Sequence, residues 1–278
     1  MAQTKTVELE LPFQVDFLPV TAECVENSVR AFGLGRAEAM HLRLAVEEVY
    51  AFLVRRAMAD QILKLECRHG GYYAEVVCHF PGQGLPVGAF NITSTISSED
   101  EESLSEMGLL LAARTIDRLE IEAESGVIRI HFIKEKLYPA AVDEADHSSI
   151  PGRCREIDPS AEMLKQFANK IVGRYGARAP EFFHYPGKVA DMVEYGEYGA
   201  ALLADEKGRV AAGMFWRCGN KLAEAFGPYI FSDSENLAVQ AVEACLRRLA
   251  RTSLVCMVVQ EPTPEMPAGY FEDLSEGG

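Results

Sequence analysis

Closely spaced cysteines, cationic runs and long apolar stretches are what this chain has least of. No run of about 18 apolar residues occurs, so no segment is expected to span a bilayer as a helix. Met1 to Glu10 is polar and strand-like, without the basic-then-apolar order of a signal peptide. The seven cysteines (Cys24, Cys67, Cys78, Cys154, Cys218, Cys245 and Cys256) are odd in number and scattered, with no C-x-x-C. That spacing predicts reduced, mostly buried thiols in a cytoplasmic protein, not a disulfide frame or a zinc centre. The six histidines are equally dispersed, so no metal site is expected. Cations are scarce: 27 lysines and arginines against 42 acids leave a formal charge of −15. Such a surface repels nucleic acid and anionic membrane and favours a protein partner with a basic patch.

What is present is ordinary globular material. Hydrophobic residues make up 48% of 278, enough for two domains with separate cores. The stretch Leu137 to Arg153, LYPAAVDEADHSSIPGR, has the prolines, glycine and acidic-polar middle of a linker. It divides the chain into domains at 1–136 and 154–278.

Periodicity then sketches each half. In the first, Val7 to Leu11 alternates like a strand, Val20 to Phe32 has helical spacing up to Gly33 and Gly35, and Leu42 to Met58 is a second helix. Hairpins follow around Gly70-Gly71 and Ser125-Gly126, separated by an acidic polar loop, SSEDEESLS, and a helix from Met107 to Asp117. This order predicts helices layered on one mixed, mainly antiparallel sheet. In the second half the pattern reads as a short strand at Cys154 to Ile157, helices at Ala161 to Arg174 and Lys188 to Glu194, a hairpin across Lys207-Gly208, and a strand from Lys221 to Tyr229. An amphipathic helix from Glu235 to Arg251 and an apolar strand at Leu254 to Gln260 complete an α/β domain.

Three motifs in the first half carry a resemblance. AVEEVYAFLVRRA (Ala45 to Ala57), FPGQG (Phe80 to Gly84) and SEMGLLLAARTID (Ser105 to Asp117) occur in that order. They resemble the N-box, D-x-G-x-G and G-x-G-L blocks of the GHKL (histidine-kinase-like) ATPase superfamily, in the version found in bacterial anti-sigma-factor serine kinases. The resemblance implies a helix-on-mixed-sheet sandwich, Mg-ATP as ligand and dimerisation through this domain. It assigns Glu48 as the residual general base. The magnesium-binding amide of that family falls on Phe52 and the adenine-binding aspartate on Phe80; Gly82, Gly84 and Gly108 remain, and the earlier G-x-G-L glycine is Glu106.

A phenylalanine has no oxygen to offer a hard cation or an adenine amino group. Moreover, no lysine or arginine lies between Arg68 and Arg114, and the lid region carries Glu99-Asp100-Glu101-Glu102. Four carboxylates facing a triphosphate oppose binding. The expectation is a domain that does not hydrolyse ATP. Blander readings stand beside these: Glu48 as a solvated helix carboxylate, Gly82 and Gly84 as simple turns, Phe52 and Phe80 as filler of an emptied adenine pocket. The two phenylalanines also fit a greasy pocket for another small ligand.

The second half, from Cys154 to Gln260, looks like the amino-terminal part of a GNAT N-acetyltransferase, with GPYIF (Gly227 to Phe231) in the fourth-strand position. That resemblance implies acetyl-coenzyme A, whose pyrophosphate the family holds on a glycine-rich turn at a helix N-terminus. The matching stretch is Ser232, Asp233, Ser234, Glu235 and onward to Ala238, without glycine or arginine. Read locally, Asp233 or Ser234 is an N-cap with Glu235 in the first turn. Arg247, Arg248 and Arg251 complement the far end of the same helix. Tyr270, Tyr229 and Glu224 are the acid or base candidates. After Gln260 too few residues remain for the family's last helix and strands, which leaves a shortened domain or a piece of a longer protein.

Together these readings favour a non-catalytic regulatory protein without a resident cofactor, Mg-ATP and acetyl-coenzyme A being the ligands the resemblances bring. Its expected partners are a sigma factor, a STAS-type anti-anti-sigma protein or another signalling protein, with homodimerisation implied by family. The alternatives are an acyltransferase or serine kinase with an altered site, and a small-molecule sensor.

Overall fold

In a computed structural model that describes residues 5–56, 61–82, 101–141, 154–219, 221–232 and 236–272 (side chains of 101–106 and 261 excepted), the chain divides into two units at Leu137/Tyr138. Both are α+β in content, with two sheets and six helices among the described residues. The division falls at the start of the expected linker. Tyr138 already belongs to the second unit, its hydroxyl on Asp191, and Ala141 N–H donates to the carbonyl of His184 at 2.7 Å.

Alternation of apolar and charged residues builds the first sheet from β1 (Thr6–Pro12), β2 (Ile62–His69), β3 (Tyr73–Pro81), β4 (Arg118–Glu124) and β5 (Val127–Glu135). Their order is β1-β2-β3-β5-β4, and every pairing is antiparallel. This corrects the mixed sheet expected from element order and resemblance: hairpins join β2 to β3 and β4 to β5, the connection through α1 and α2 returns β2 antiparallel to β1, and β5 lies between β3 and β4, which run in the same sense but are not neighbours. At the β4–β5 turn Ser125 and Gly126 have φ of +53° and +80°, the mirror-image turn that matches strand twist.

One face of this sheet, with Leu63, Leu65, Cys67, Ala74, Val76, Cys78, Ile128, Ile130 and Phe132 fully or almost fully buried, lies under the helices. These are α1 (Leu18–Ala31), α2 (Arg36–Arg56) and α3 (Glu101–Thr115). Helix α1 buries Ala22, Val25 and Val29 at helical spacing, while α2 buries Leu42, Ala45, Val46, Val49, Phe52 and Leu53. Helix α2 begins earlier than its apolar pattern. Its first turn is polar, and Glu38 is buried there, its carboxylate against Gly35. Helix α3 likewise starts inside the acidic run expected to be loop, and acidic residues suit the positive N-terminal end of a helix dipole.

The second unit is built from β6 (Arg155–Ile157), α4 (Ala161–Tyr175), α5 (Pro186–Glu194), β7 (Tyr198–Ala204), β8 (Val210–Gly219), β9 (Leu222–Ile230), α6 (Leu237–Leu249) and β10 (Cys256–Pro262). Strand order follows chain order, antiparallel from β6 to β9, with β10 parallel to β9 across the α6 crossover. Helix α6 covers one face over Ala201, Leu203, Ala212, Met214 and Trp216. Helix α4 packs on β8 from the other face, where Phe167, Phe183, Phe215 and Tyr229 meet edge to face. Ser160 caps α4, its hydroxyl accepting from Met163 N–H at 3.3 Å. Asp158, just before it, accepts from Arg248.

Two expectations are corrected here. Helix α6 begins at Leu237 with Asn236 (φ +67°) at its N-cap, later than the start expected at Glu235, which lies outside the described residues with Asp233 and Ser234. Of the seven cysteines only Cys67, Cys78 and Cys245 are buried; Cys218 and Cys256 are exposed.

Candidate functional site

The helical period of α2 sends residues 45, 49 and 52 into the core and leaves Glu48 half-buried on the flank facing α3. There its carboxylate lies against Gly108, where any Cβ would collide with Glu48 Oε2. The two positions taken from separate motifs are therefore neighbours, and a side chain at 108 would push the carboxylate tip aside. The opposite flank of α2 is tied to α1: Arg43 donates to Glu26 at 2.8 Å and to Glu47 at 3.1 Å. The Arg43 guanidinium holds the Glu26 carboxyl below its usual range.

Phe52, one turn beyond Glu48, is 1% exposed and sits in the main apolar cluster, with the Arg56 guanidinium 4.7 Å from its ring centroid. Phe80 closes β3 at 5% exposure and meets Phe13 edge to face at 6.0 Å. Phe13 in turn lies beside Tyr50, whose hydroxyl is 2.9 Å from the carbonyls of Pro12 and Gln14 and accepts from Gln14 N–H at 3.3 Å. These aromatic rings are core side chains, and neither Phe52 nor Phe80 contributes a polar atom to a ligand. Gly82 hugs β5: its N–H donates to Gly126, and a Cβ would stand 2.9 Å from Ile128 Cδ1. Its amide is thus engaged in the hairpin. Gly84 and the lid residues Glu99 and Asp100 lie outside the described residues, and Glu101 and Glu102 belong to α3.

In the second unit Gly227 stands at a β-bulge facing β8, with φ +107° and a cis bond to Pro228. A Cβ there would meet Tyr229 N at 2.9 Å and Gly213 O at 3.3 Å, so only glycine fits without backbone movement. Thr263 donates to the Pro228 carbonyl at 2.6 Å, fastening the end of β10 to this bulge. Tyr175 accepts from Ile230 N–H at 2.9 Å, and burial pushes its hydroxyl up to about 12. Ser232 is buried, while Asp233, Ser234 and Glu235 fall outside the described residues.

The acid–base candidates do not converge on one another in any described contact. Tyr229 is a core ring, Tyr270 donates to Glu243 at 3.1 Å, and Glu224 pairs across the sheet from Arg217. Arg247 and Arg248 tie α6 to β6, Arg248 reaching Glu156, Asp158 and the Ile157 carbonyl at 2.9, 3.0 and 3.0 Å.

One grouping has no counterpart among the sequence motifs. The outward face of the first sheet carries a charged lattice around Glu66, which bridges Lys64 and Arg68 and lies 3.5 Å from His79. Beside it His131 Nδ1 is 2.7 Å from Glu75. The period-2 alternation of Lys64, Glu66 and Arg68 was the available signal. Among the described residues no group of three or more histidine, cysteine, aspartate or glutamate side chains is placed to hold a metal, and no helix is long and apolar enough to cross a membrane.

No protein-family model and no curated protein matches the chain.

Proposed function

We propose that the chain is a regulatory protein, acting by protein binding, whose first domain is a GHKL-type fold withdrawn from nucleotide chemistry. Its second domain, on this reading, is GNAT-like without the usual pyrophosphate turn. The observation that carries the proposal is Phe52: it is 1% exposed in the apolar cluster at the position where the kinase family needs an amide oxygen for magnesium. Phe80, buried at the adenine-acceptor position, supports the same reading. Glu48 lies against Gly108, but a hydroxyl activated by a general base has no phosphoryl group to attack where the nucleotide is not held. With a formal charge of −15, the partner is expected to present a basic surface; a sigma factor, a STAS protein or a related signalling protein is the class that the resemblance supplies.

Titration calorimetry and thermal shift with Mg-ATP test this. The expected result is no binding up to about 1 mM, an interaction worth less than about 4 kcal/mol. Micromolar binding, or phosphorylation of a STAS partner that Glu48→Gln abolishes, overturns the proposal. A second reading, an acyltransferase, draws on the parallel β9–α6–β10 unit and the break at Gly227. It requires acetyl-coenzyme A to protect the second domain from protease, and absence of protection removes it.

A further inference from the structure

Four strand edges bound the two sheets, and three of them carry features that oppose pairing with a further strand. Strand β1 places Glu8 and Glu10 at alternate positions, and β4 does the same with Glu120, Glu122 and Glu124. A second copy laid against either edge would set carboxylates against carboxylates. Strand β6 is only three residues long, and Arg248 already takes its Ile157 carbonyl. Strand β10 differs from all of these. It runs for seven residues, no charged residue occurs from Thr252 to Gln260, and Val255, just before it, is 79% exposed. Pro262 blunts its last position alone.

The ladder to β9 shows which backbone groups of β10 are open. Cys256 N–H donates to the Lys221 carbonyl at 3.3 Å, and Cys256 pairs with Leu222 in the parallel register. Backbone direction alternates along a strand, so Cys256, Val258 and Gln260 turn their amides toward β9, while Met257 and Val259 turn theirs outward. Among the described residues no backbone hydrogen bond reaches those two outward amides. The segment after β10 does not fill the place: Thr263 is fastened to the Pro228 carbonyl, and Met266 and Phe271 pack on the apolar cluster beneath α6. The side chains of Met257 and Val259 join that same cluster, which leaves Val258 on the opposite face of the sheet.

We propose that β10 pairs with β10 of a second copy of this chain, antiparallel about a two-fold axis at Val258, so that the two second-unit sheets become one continuous sheet. In this register Met257 of each copy faces Val259 of the other, and each such pair exchanges both N–H···O bonds. Val258 meets its own counterpart across the axis, and Cys256 meets Gln260. Charge is what selects a second copy as the occupant. At −15 overall, like chains repel, and the other long edges would add acid against acid. The β10 edge is the one where this sequence meets itself without opposing charges. The pairing stands independently of the regulatory reading and does not use the first domain.

The test is sedimentation velocity of the full chain from about 1 to about 100 μM, paired with hydrogen exchange at both ends of that range. The expected result is a monomer giving way to a species of twice the mass, with the Met257 and Val259 amides exchanging at least about tenfold more slowly in the concentrated sample. Val259→Pro removes an outward N–H without touching the β9 ladder, and Val258→Lys sets like charges together at the axis while keeping every backbone group. Both should stay monomeric over the whole range, with Trp216 fluorescence confirming that the second domain remains folded. A wild-type chain that is monomeric throughout overturns the proposal. So does a dimer whose Met257 and Val259 amides exchange freely, a dimer that survives both substitutions, or protection of those amides that is the same at every dilution.

Discussion

Replacing Glu66 with glutamine removes one charge from the centre of the first sheet's outward face and keeps the shape of the side chain. The carboxylate bridges Lys64 at 2.8 Å and Arg68, and the side chain is only 10% exposed. Burial by itself raises its pKa, but hydrogen bonds from Lys64 and Arg68 overcome burial and hold the carboxyl at about 2, against an ordinary 4.5. Because the folded value lies below the unfolded one, the stabilisation is complete above about pH 4.5 and drains away as pH falls toward 2. The difference, 4.5 − 2 = 2.5 on the pH scale, sets a ceiling of about 3.4 kcal/mol at about 1.36 kcal/mol each. Lys64 and Arg68 are 37% and 36% exposed. Solvent screening therefore lowers the expectation to about 1–2 kcal/mol.

Urea unfolding read by hydrogen exchange at the β2 and β3 amides is the assay. It is preferred to fluorescence because Trp216, the single tryptophan, belongs to the second unit. Wild type should exceed Glu66→Gln by that amount at pH 7, with the gap narrowing steadily between pH 4.5 and 2. A gap that stays constant with pH, or a variant more stable at pH 7, refutes the assignment of the low pKa to this lattice.

Three further substitutions read separate features. Tyr50→Phe strips the hydroxyl that serves Pro12 and Gln14 from a side chain 1% exposed, and should cost the first domain about 1–2 kcal/mol in the same exchange assay. Arg248→Ala frees α6 from Glu156, Asp158 and the Ile157 carbonyl; a loss of about 1 kcal/mol should appear in urea melts followed by Trp216 fluorescence. Gly213→Ala would place a Cβ 2.8 Å from the Ala201 carbonyl oxygen and 2.9 Å from Phe167, and backbone cannot yield as a side-chain tip does. It should destabilise the second domain by about 1–3 kcal/mol by the same fluorescence, and no loss would mean that β7 and β8 pack more loosely than described.

The elements were legible wherever a local pattern sets them. Both hairpin turns of the first sheet fall at the expected glycines. Patterns failed where the determinant is not apolar period. Helix α2 starts at Arg36 in a polar turn, and α3 starts in an acidic run that composition alone assigns to loop. Strand order was beyond reach, because the position of β5 between β3 and β4 depends on pairing across more than forty residues. At the candidate site, motif spacing found Glu48 and Gly108, which the fold makes neighbours. No spacing rule joins His79 to Glu66, since the pair meets only through cross-strand register.

The two strand orders also differ in when they can be completed during synthesis. Each strand of the second sheet after β6 finds its preceding neighbour already made, so that sheet grows outward in the order of translation. In the first sheet β4 emerges before its only partner, and the place beside β3 stays empty until β5, ending at Glu135, has left the ribosome. At about 5–20 residues per second, the stretch from Phe80 to Glu135 takes roughly 3–11 seconds to make. For that interval β3 presents a free row of amides and carbonyls to any other nascent strand, including that of a second copy. Translation speed, more than the stability of the finished domain, sets how long that edge stays open.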